Sequence, residues 1–180
     1  MTSRVGDPSA IVIRPVQGEE WQQYRDLRLN ALESDPLAFG STLRREQGFA
    51  PEVWKDRISQ GRQTLVSCTW VAVNAAGRFV GTTAAVDMEG RVHIFAMWVD
   101  PEYRDVGIGG RLLDAALTWI RETHPARAVV LDVNPRQIAA VRLYESRGFR
   151  STGSSSPLPH TPGERTIEMT LPAADPETGV

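Results

Sequence analysis

Residues 95–120, FAMWVDPEYRDVGIGGRLLDAALTWI, decide the fold of this chain. The apolar, β-favouring run 92–99 predicts a buried strand, and Asp100-Pro101 ends it because proline cannot donate to a strand ladder. From Ile108 onward apolar residues recur at helical spacing, at Leu112, Leu113, Ala116, Leu117 and Ile120. The stretch therefore predicts a strand, a short loop, a glycine-rich turn and a helix that begins at the glycines.

The turn itself, RDVGIGG at 104–110, predicts an anion site. Backbone N–H groups at a helix N-terminus lack intrahelical acceptors, and the helix dipole favours negative charge there. Arg104 can add a charge-assisted hydrogen bond to a phosphate. The sequence thus predicts a pyrophosphate site at the end of the strand.

Two common phosphate-binding motifs do not fit this turn. A P-loop needs Lys followed by Ser or Thr after its last glycine, whereas this chain has Arg111-Leu112. A dinucleotide fingerprint needs a third glycine where Leu112 stands, and its glycines follow the strand directly. Here residues 100–106 intervene.

The remaining pattern, Arg104-x-x-Gly107-x-Gly109, resembles the acetyl-CoA signature of the GNAT superfamily of N-acetyltransferases. A second stretch, LDVNPRQIAAVRLYESRGF at 131–149, is similar to the closing motif of that superfamily. LRLNALESDPLAFGST at 27–42 looks like a run found in many bacterial members. The order of predicted elements resembles the family layout over residues 10–171.

The resemblance implies an α/β fold of the α+β type. We expect a single mixed, largely antiparallel central sheet, flanked by helices and splayed at its two central strands. We expect one domain over residues 10–171, a flexible N-terminus over 1–9 and a flexible tail over 172–180. Residues 151–163, with three prolines, are predicted to form a loop.

The composition places few limits on function. The chain has 180 residues, 41% of them hydrophobic, which suits one domain with a core. A net charge of −2 gives no general attraction to nucleic acid or to an anionic membrane, so neither is expected as a partner. No apolar run is long enough to span a bilayer and residues 1–10 do not resemble a signal peptide, so a cytoplasmic location is expected. Nearly all the basic residues are arginine, with Lys55 as the single lysine, a bias that is typical of GC-rich bacterial genomes.

The resemblance implies transfer of an acetyl group from acetyl-CoA, as co-substrate, to a primary amine by direct attack in a ternary complex. It assigns acetyl-CoA binding to the end of the strand, the turn and the closing motif, namely Met97, Trp98, Val99, Arg104, Asp105, Val106, Gly107, Ile108, Gly109, Gly110, Asn134 and Tyr144. The backbone of 97–99 would pair with the pantetheine arm.

Three side chains are candidates for proton transfer. Tyr144 stands where the family places its general acid, near the sulfur of CoA; the structural alternative is a core aromatic. For the base, His93 lies where the histone-acetyltransferase branch carries a strand glutamate, and Asp132 lies where ribosomal-protein acetyltransferases carry glutamate in Leu-Glu-Val. The alternatives are a hydrogen-bonded strand histidine, a salt-bridged aspartate, and water as the base.

The chain departs from the family pattern at Gln137, where the family frequently has asparagine. Asn134 can take over the contact with the pantetheine amides, or it can simply form an Asn-Pro turn. The acceptor groove is expected among residues 34–50, 87–90 and 151–163. No His or Cys cluster has metal-ligand spacing, so no metal is expected.

Two other functions compete with acetyl transfer. A non-catalytic acyl-CoA-binding module would keep the glycine turn without needing a base, and a nucleotide-binding protein could use the same turn. The sequence does not decide between a monomer and a homodimer.

Overall fold

The computed structural model describes residues 10–60 and 66–173. From the N-terminus the elements are strand β1 (Val12–Pro15), helices α1 (Trp21–Ser34), α2 (Leu43–Gln47) and α3 (Pro51–Gln60), strands β2 (Ser67–Val73), β3 (Phe79–Met88) and β4 (Arg91–Val99), helix α4 (Ile108–Thr123), strand β5 (Val129–Val133), helix α5 (Ile138–Glu145), and strands β6 (Arg150–Pro157) and β7 (Arg165–Leu171). The segments 1–9 and 174–180, expected to be flexible, lie outside the described residues.

The strands form one seven-stranded sheet in the order β1-β2-β3-β4-β5-β7-β6. β4 and β5 run parallel, and the other neighbouring pairs run antiparallel. The ladder between β4 and β5 is short: Val92 pairs with Val129 and His93 with Val130, and it ends there. The prediction of a mixed, largely antiparallel sheet that splays at two central strands is confirmed.

The sheet is covered on both faces because alternate residues of its central strands point to opposite sides. α4 packs on one face, where its buried stripe of Ile108, Leu112, Leu113, Ala116, Leu117 and Ile120 meets β2, β3 and β4. Each Leu or Ile of this stripe contributes about 1.5–3 kcal/mol when fully buried. Cys68 lies within this core and is fully buried. α1 and α3 cover the other face around Tyr24, Leu27, Trp54 and Trp98.

The prediction of a loop over 151–163 is wrong for its first part, where the structure has strand β6. Residues 150–157 form the edge strand of the sheet, paired with β7 from Arg150 with Thr170 to Pro157 with Arg165. Every residue of β6 is exposed, so no buried apolar alternation marks it in the sequence. The register breaks between Ser151 and Ser155, and only the following residues, 158–164, connect the strands as a turn.

Among the described residues, no helix combines the length and the apolar character needed to cross a bilayer.

Candidate active site

A cavity of about 930 Å³ opens where β4 and β5 separate. This volume falls within the range of small-molecule sites. Its wall combines the predicted turn, the end of β4, the start of α5 and part of the chain between α1 and α2. The predicted site residues that line it are His93, Met97, Trp98, Val99, Arg104, Asp105, Gly107, Ile108, Gly109, Gly110, Asp132 and Tyr144.

The glycine turn is built for a close approach of backbone to ligand. Gly107 caps α4 with a φ of 83°, a left-handed conformation that costs other L-residues energy. The first hydrogen bond of the helix, from Arg111 N to Gly107 O at 3.1 Å, leaves the N–H groups of 108–110 without intrahelical acceptors. A Cβ at Gly110 would lie 2.8 Å from Nη2 of Arg147, which two hydrogen bonds hold against Asp114. The bare amides at this helix N-terminus fit a phosphate group.

Arg104 lines the same cavity as the turn, and its guanidinium forms hydrogen bonds within the protein. Its Nη2 donates to the carboxylate of Asp35, and its Nε donates to the Val99 carbonyl at 2.9 Å. Trp98 Nε1 donates to the same Asp35 carboxylate at 2.8 Å. Although partial burial favours the neutral acid, hydrogen bonds from Arg104, Ser34 and Trp98 lower the pKa of Asp35. Arg104 therefore ties the turn to the end of α1, and its guanidinium is already paired.

A β-bulge interrupts β4 beside the gap. Thr82 of β3 pairs with Trp98 and Ala84 pairs with Phe95, so two residues of β4 stand opposite Thr83 alone. Ala96 in the bulge has a φ of 53°, which is uncommon for a residue with a Cβ. Bulges redirect backbone groups next to active sites. Here the bulge lies on the cavity wall and precedes the backbone of 97–99 that was predicted to pair with pantetheine.

Tyr144 of α5 lines the cavity with its ring packed in the core, 6.0 Å from the ring centre of Phe149. Its hydroxyl forms no hydrogen bond with another residue in the described ranges 10–60 and 66–173. Burial raises the pKa of this phenol, so it stays protonated at neutral pH. A protonated phenol without a protein partner, facing a cavity, can donate its proton or a hydrogen bond to a ligand.

His93 and Asp132 line the cavity from β4 and β5, just where the ladder between these strands ends. The His93 ring stacks on Phe95 at 5.7 Å, and its Nε2 is buried without a hydrogen-bond partner in the described part of the chain. Desolvation and Arg91 lower the pKa of His93, against the carboxylates of Asp132, Glu89 and Glu168. An unprotonated imidazole at neutral pH can accept a proton.

Asp132 is exposed at the cavity and stands directly across from Glu168 in the pairing of β5 with β7. Partial desolvation and this second carboxylate raise the pKa of Asp132. Glu168 is itself paired with Arg91 at 3.2 Å. Asp132 is thus a second acceptor for a proton, and its predicted structural alternative, a salt bridge, is not present among the described residues.

Asn134 and Val106, which were predicted to bind acetyl-CoA, do not line the cavity. Asn134 is buried, with its Nδ2 donating to Glu164 at 3.0 Å and its Oδ1 accepting from the Arg136 N–H at 2.9 Å. Its amide group is therefore used within the protein. Gln137 lines the cavity instead, and Val106 points to solvent.

Two of the three segments expected to form the acceptor groove contribute to the cavity wall. Residues 38–40 and 156–159 line the cavity, whereas the turn 87–90 does not. Arg28 of α1 lines it as well and was not predicted. Its place on a helix with apolar spacing gave no sign of a cavity that only tertiary packing creates. Among the described residues, no group of three or more His, Cys, Asp and Glu side chains is arranged to hold a metal ion.

The chain is similar to known acetyltransferases in sequence and in fold. The model of the acetyltransferase (GNAT) family matches residues 27–149. Human N-acetyltransferase 8B is 37% identical over 95 residues, which are 49% of this chain and 41% of that protein. Mycothiol acetyltransferase of Thermobispora bispora is 29% identical over 147 residues, 79% of this chain and 47% of that protein. The chain thus spans less than half the length of either relative.

A putative acetyltransferase of Salmonella typhimurium, yncA, solved with its cofactor acetyl-CoA, has the same fold. It superposes with a TM-score of 0.75 at 18% identity, covering 92% of this chain and 95% of the other.

Proposed function

The chain belongs to the acetyltransferase (GNAT) family, and from this premise we propose that it transfers an acetyl group from acetyl-CoA to a primary amine by direct attack in a ternary complex. One observation carries the proposal: a single cavity joins the bare amides of the glycine turn to the β4 bulge, Tyr144 and His93. Both substrates have to meet in one space for direct attack, and this cavity provides it.

The glycine turn would hold the diphosphate of acetyl-CoA through the N–H groups of 108–110. The open edge of β4 over 97–99, next to the gap, would pair with the pantetheine arm, and an N–H there would stabilise the carbonyl oxygen as it gains charge. Arg104 supports the turn by its contacts with Asp35 and Val99, and no phosphate contact is needed from it.

The amine has to be neutral when it attacks. His93 accepts its proton, directly or through water, because Nε2 lacks a protein partner and the lowered pKa keeps the ring unprotonated. Asp132 lies on the facing strand and is the alternative base. Tyr144 donates a proton or a hydrogen bond to the departing thiolate. Holding both reactants in one cavity lowers the entropic cost of their encounter.

An amine panel tests the proposal. Purified protein, acetyl-CoA and single amines are mixed, and both free CoA and acetylated product are measured. Initial rates with both substrates varied should give intersecting lines, as a ternary complex requires. Parallel lines would replace direct attack by an acetyl-enzyme. Binding of acetyl-CoA without product from any amine would favour a non-catalytic acyl-CoA-binding module.

A further inference from the structure

A buried ion cluster lies against the acceptor side of the cavity. Glu46 of α2 is 1% exposed and accepts hydrogen bonds from Arg28 of α1 and from Arg57 of α3. Arg28 donates through Nε at 3.1 Å and through Nη2 at 2.9 Å, and Arg57 donates through Nη1 at 2.9 Å. Three helices therefore meet at one carboxylate.

The cluster carries an excess positive charge. Although burial opposes ionisation, the hydrogen bonds from Arg28 and the charges of both arginines lower the pKa of Glu46. Glu46 is thus ionised at neutral pH, and arginine is always charged. Two cations against one anion leave one positive charge that no residue of the cluster balances.

Of the three, Arg28 is the residue that lines the cavity. Its guanidinium lies over the Phe39 ring, with Cζ 4.3 Å from the ring centre, and Phe39 lines the cavity too. The contacts with Glu46 and Phe39 fix the plane of the group, since they hold one edge and one face. Nη1 has no hydrogen-bond partner within residues 10–60 and 66–173. A fixed guanidinium with free donors at a cavity wall is suited to bind a carboxylate.

His93 and Asp132, which can accept protons, line the same cavity as Arg28. The acceptor side therefore offers a cation from α1 and basic groups from β4 and β5. A molecule with an amine and a carboxylate matches both.

We infer that Arg28 binds a carboxylate of the acceptor, so that the acceptor is an amino acid rather than a simple amine. This inference rests on the proposed acetyl transfer. Arg28 selects the acceptor, while Arg57 supports Glu46 without reaching the ligand.

The test compares L-amino acids with their carboxamides, which lack the carboxylate charge. Because the α-amine of a carboxamide is also less basic, rates are compared at equal concentration of neutral amine. For the wild type, kcat/KM for the best amino acid should exceed that for its carboxamide by about 10-fold or more, as expected for a hydrogen-bonded charge. R28Q should remove this preference, and R28K should restore part of it because it keeps the charge but not the fork. KM for acetyl-CoA should stay the same in both variants.

R57Q is the matched control. It also takes one guanidinium from Glu46, so it should lower the thermal midpoint, though less than R28Q because Arg57 donates one hydrogen bond where Arg28 donates two. It should leave the preference for the amino acid intact. Equal loss of preference in R57Q and R28Q would overturn the inference, since the effect would then come from the helix packing. A wild type without preference, or a rise in KM for acetyl-CoA alone in R28Q, would overturn it too.

A binding measurement separates this inference from the proposed function. Thermal shifts of the protein saturated with CoA are recorded with each amino acid and carboxamide. If no acceptor is acetylated, the proposed function fails, but a shift by amino acids that R28Q abolishes still supports the carboxylate site. Absence of any such shift, with or without turnover, overturns the inference.

Discussion

At the scale of single residues, Arg104 of the family signature forms an ion pair with Asp35 within the protein. The sequence predicts a phosphate ligand at Arg104 because a cation precedes the glycines. The contact with Asp35 could not be predicted, since that residue is far away in the chain and no local pattern marks it. Trp98 shares the same carboxylate. Arg104 thus joins the glycine turn to the end of α1 through Asp35 and Val99.

The proton acceptor is a property of one residue and is tested by pH. With His93 as the base, kcat/KM for the acceptor should rise with pH along a limb whose apparent pKa lies below the ordinary 6.5 of histidine, because the pKa of His93 is lowered. His93→Ala should remove this limb. Asp132→Asn should move it to still lower pH, since the Asp132 carboxylate raises the pKa of His93.

The opposite result would reassign the base. If the limb persists in His93→Ala and disappears in Asp132→Asn, Asp132 accepts the proton.

Tyr144→Phe tests the acid. Loss of the hydroxyl should lower kcat on the order of 10²-fold, as for other general acids, and change KM for acetyl-CoA little. The ring stays in the core, so the thermal midpoint should not move. Unchanged kcat would make Tyr144 a packing residue alone.

Gly107→Ala tests the backbone of the turn. The left-handed φ of 83° should lower the unfolding free energy of the alanine variant by about 1 kcal/mol. No steric clash adds to this loss, because a Cβ at this position has no heavy atom within 4 Å. KM for acetyl-CoA should rise with it. Gly77→Ala is the control, since Gly77 has a φ of 78°, also has open space, and lies in a turn that does not line the cavity. In urea denaturation both variants should lose similar stability, and only Gly107→Ala should affect the substrate.

At the scale of elements, the sequence is most informative where burial is periodic. α4 begins directly after Gly107, as predicted, because the apolar stripe and the glycine turn both mark the same start of the helix. The β6 segment was predicted as a loop from the three prolines in 151–163. All residues of β6 are exposed, and pairing with β7 stabilises the strand instead of burial. The β4 bulge was not predicted either: Ala96 is an ordinary strand residue, and only the register against β3 shows the extra residue.

The bulge gives a prediction for β4 as an element. Ala96→Val should lower the unfolding free energy by more than about 1 kcal/mol, because a β-branched residue disfavours a positive φ. Ala96→Gly should leave stability unchanged or raise it by up to about 1 kcal/mol. Turnover should fall in the valine variant only. Equal stability of the two variants would show that the φ of 53° is not maintained in solution.

At the scale of the whole molecule, the cavity lies between two separate cores, one under α4 and one under α1 and α3. A ligand in the gap between β4 and β5 would touch elements from both. The family resemblance predicted this splay, whereas the acceptor wall depends on how α1 and the segment 38–40 pack, which no local pattern encodes.

Ligand binding should therefore stabilise the fold as a unit. Acetyl-CoA at 100 times its Kd adds about 2.7 kcal/mol, which should raise Tm by roughly 5–10 °C for a chain of this size. Differential scanning fluorimetry measures the shift, and Gly107→Ala should reduce it. A larger shift with NAD or ATP than with acetyl-CoA would indicate a nucleotide-binding protein.

The burial of Cys68 has a practical consequence. It is the single cysteine of the chain, it is 0% exposed, and burial raises its pKa to about 12. Thiol-reactive disulfide dyes react with thiolates, so Cys68 in the native protein should not react with the dye and should add no absorbance. Such a dye would therefore measure the CoA released by the reaction without a background signal from the protein. In the absence of substrates, the rate at which Cys68 is labelled would report how often the sheet opens.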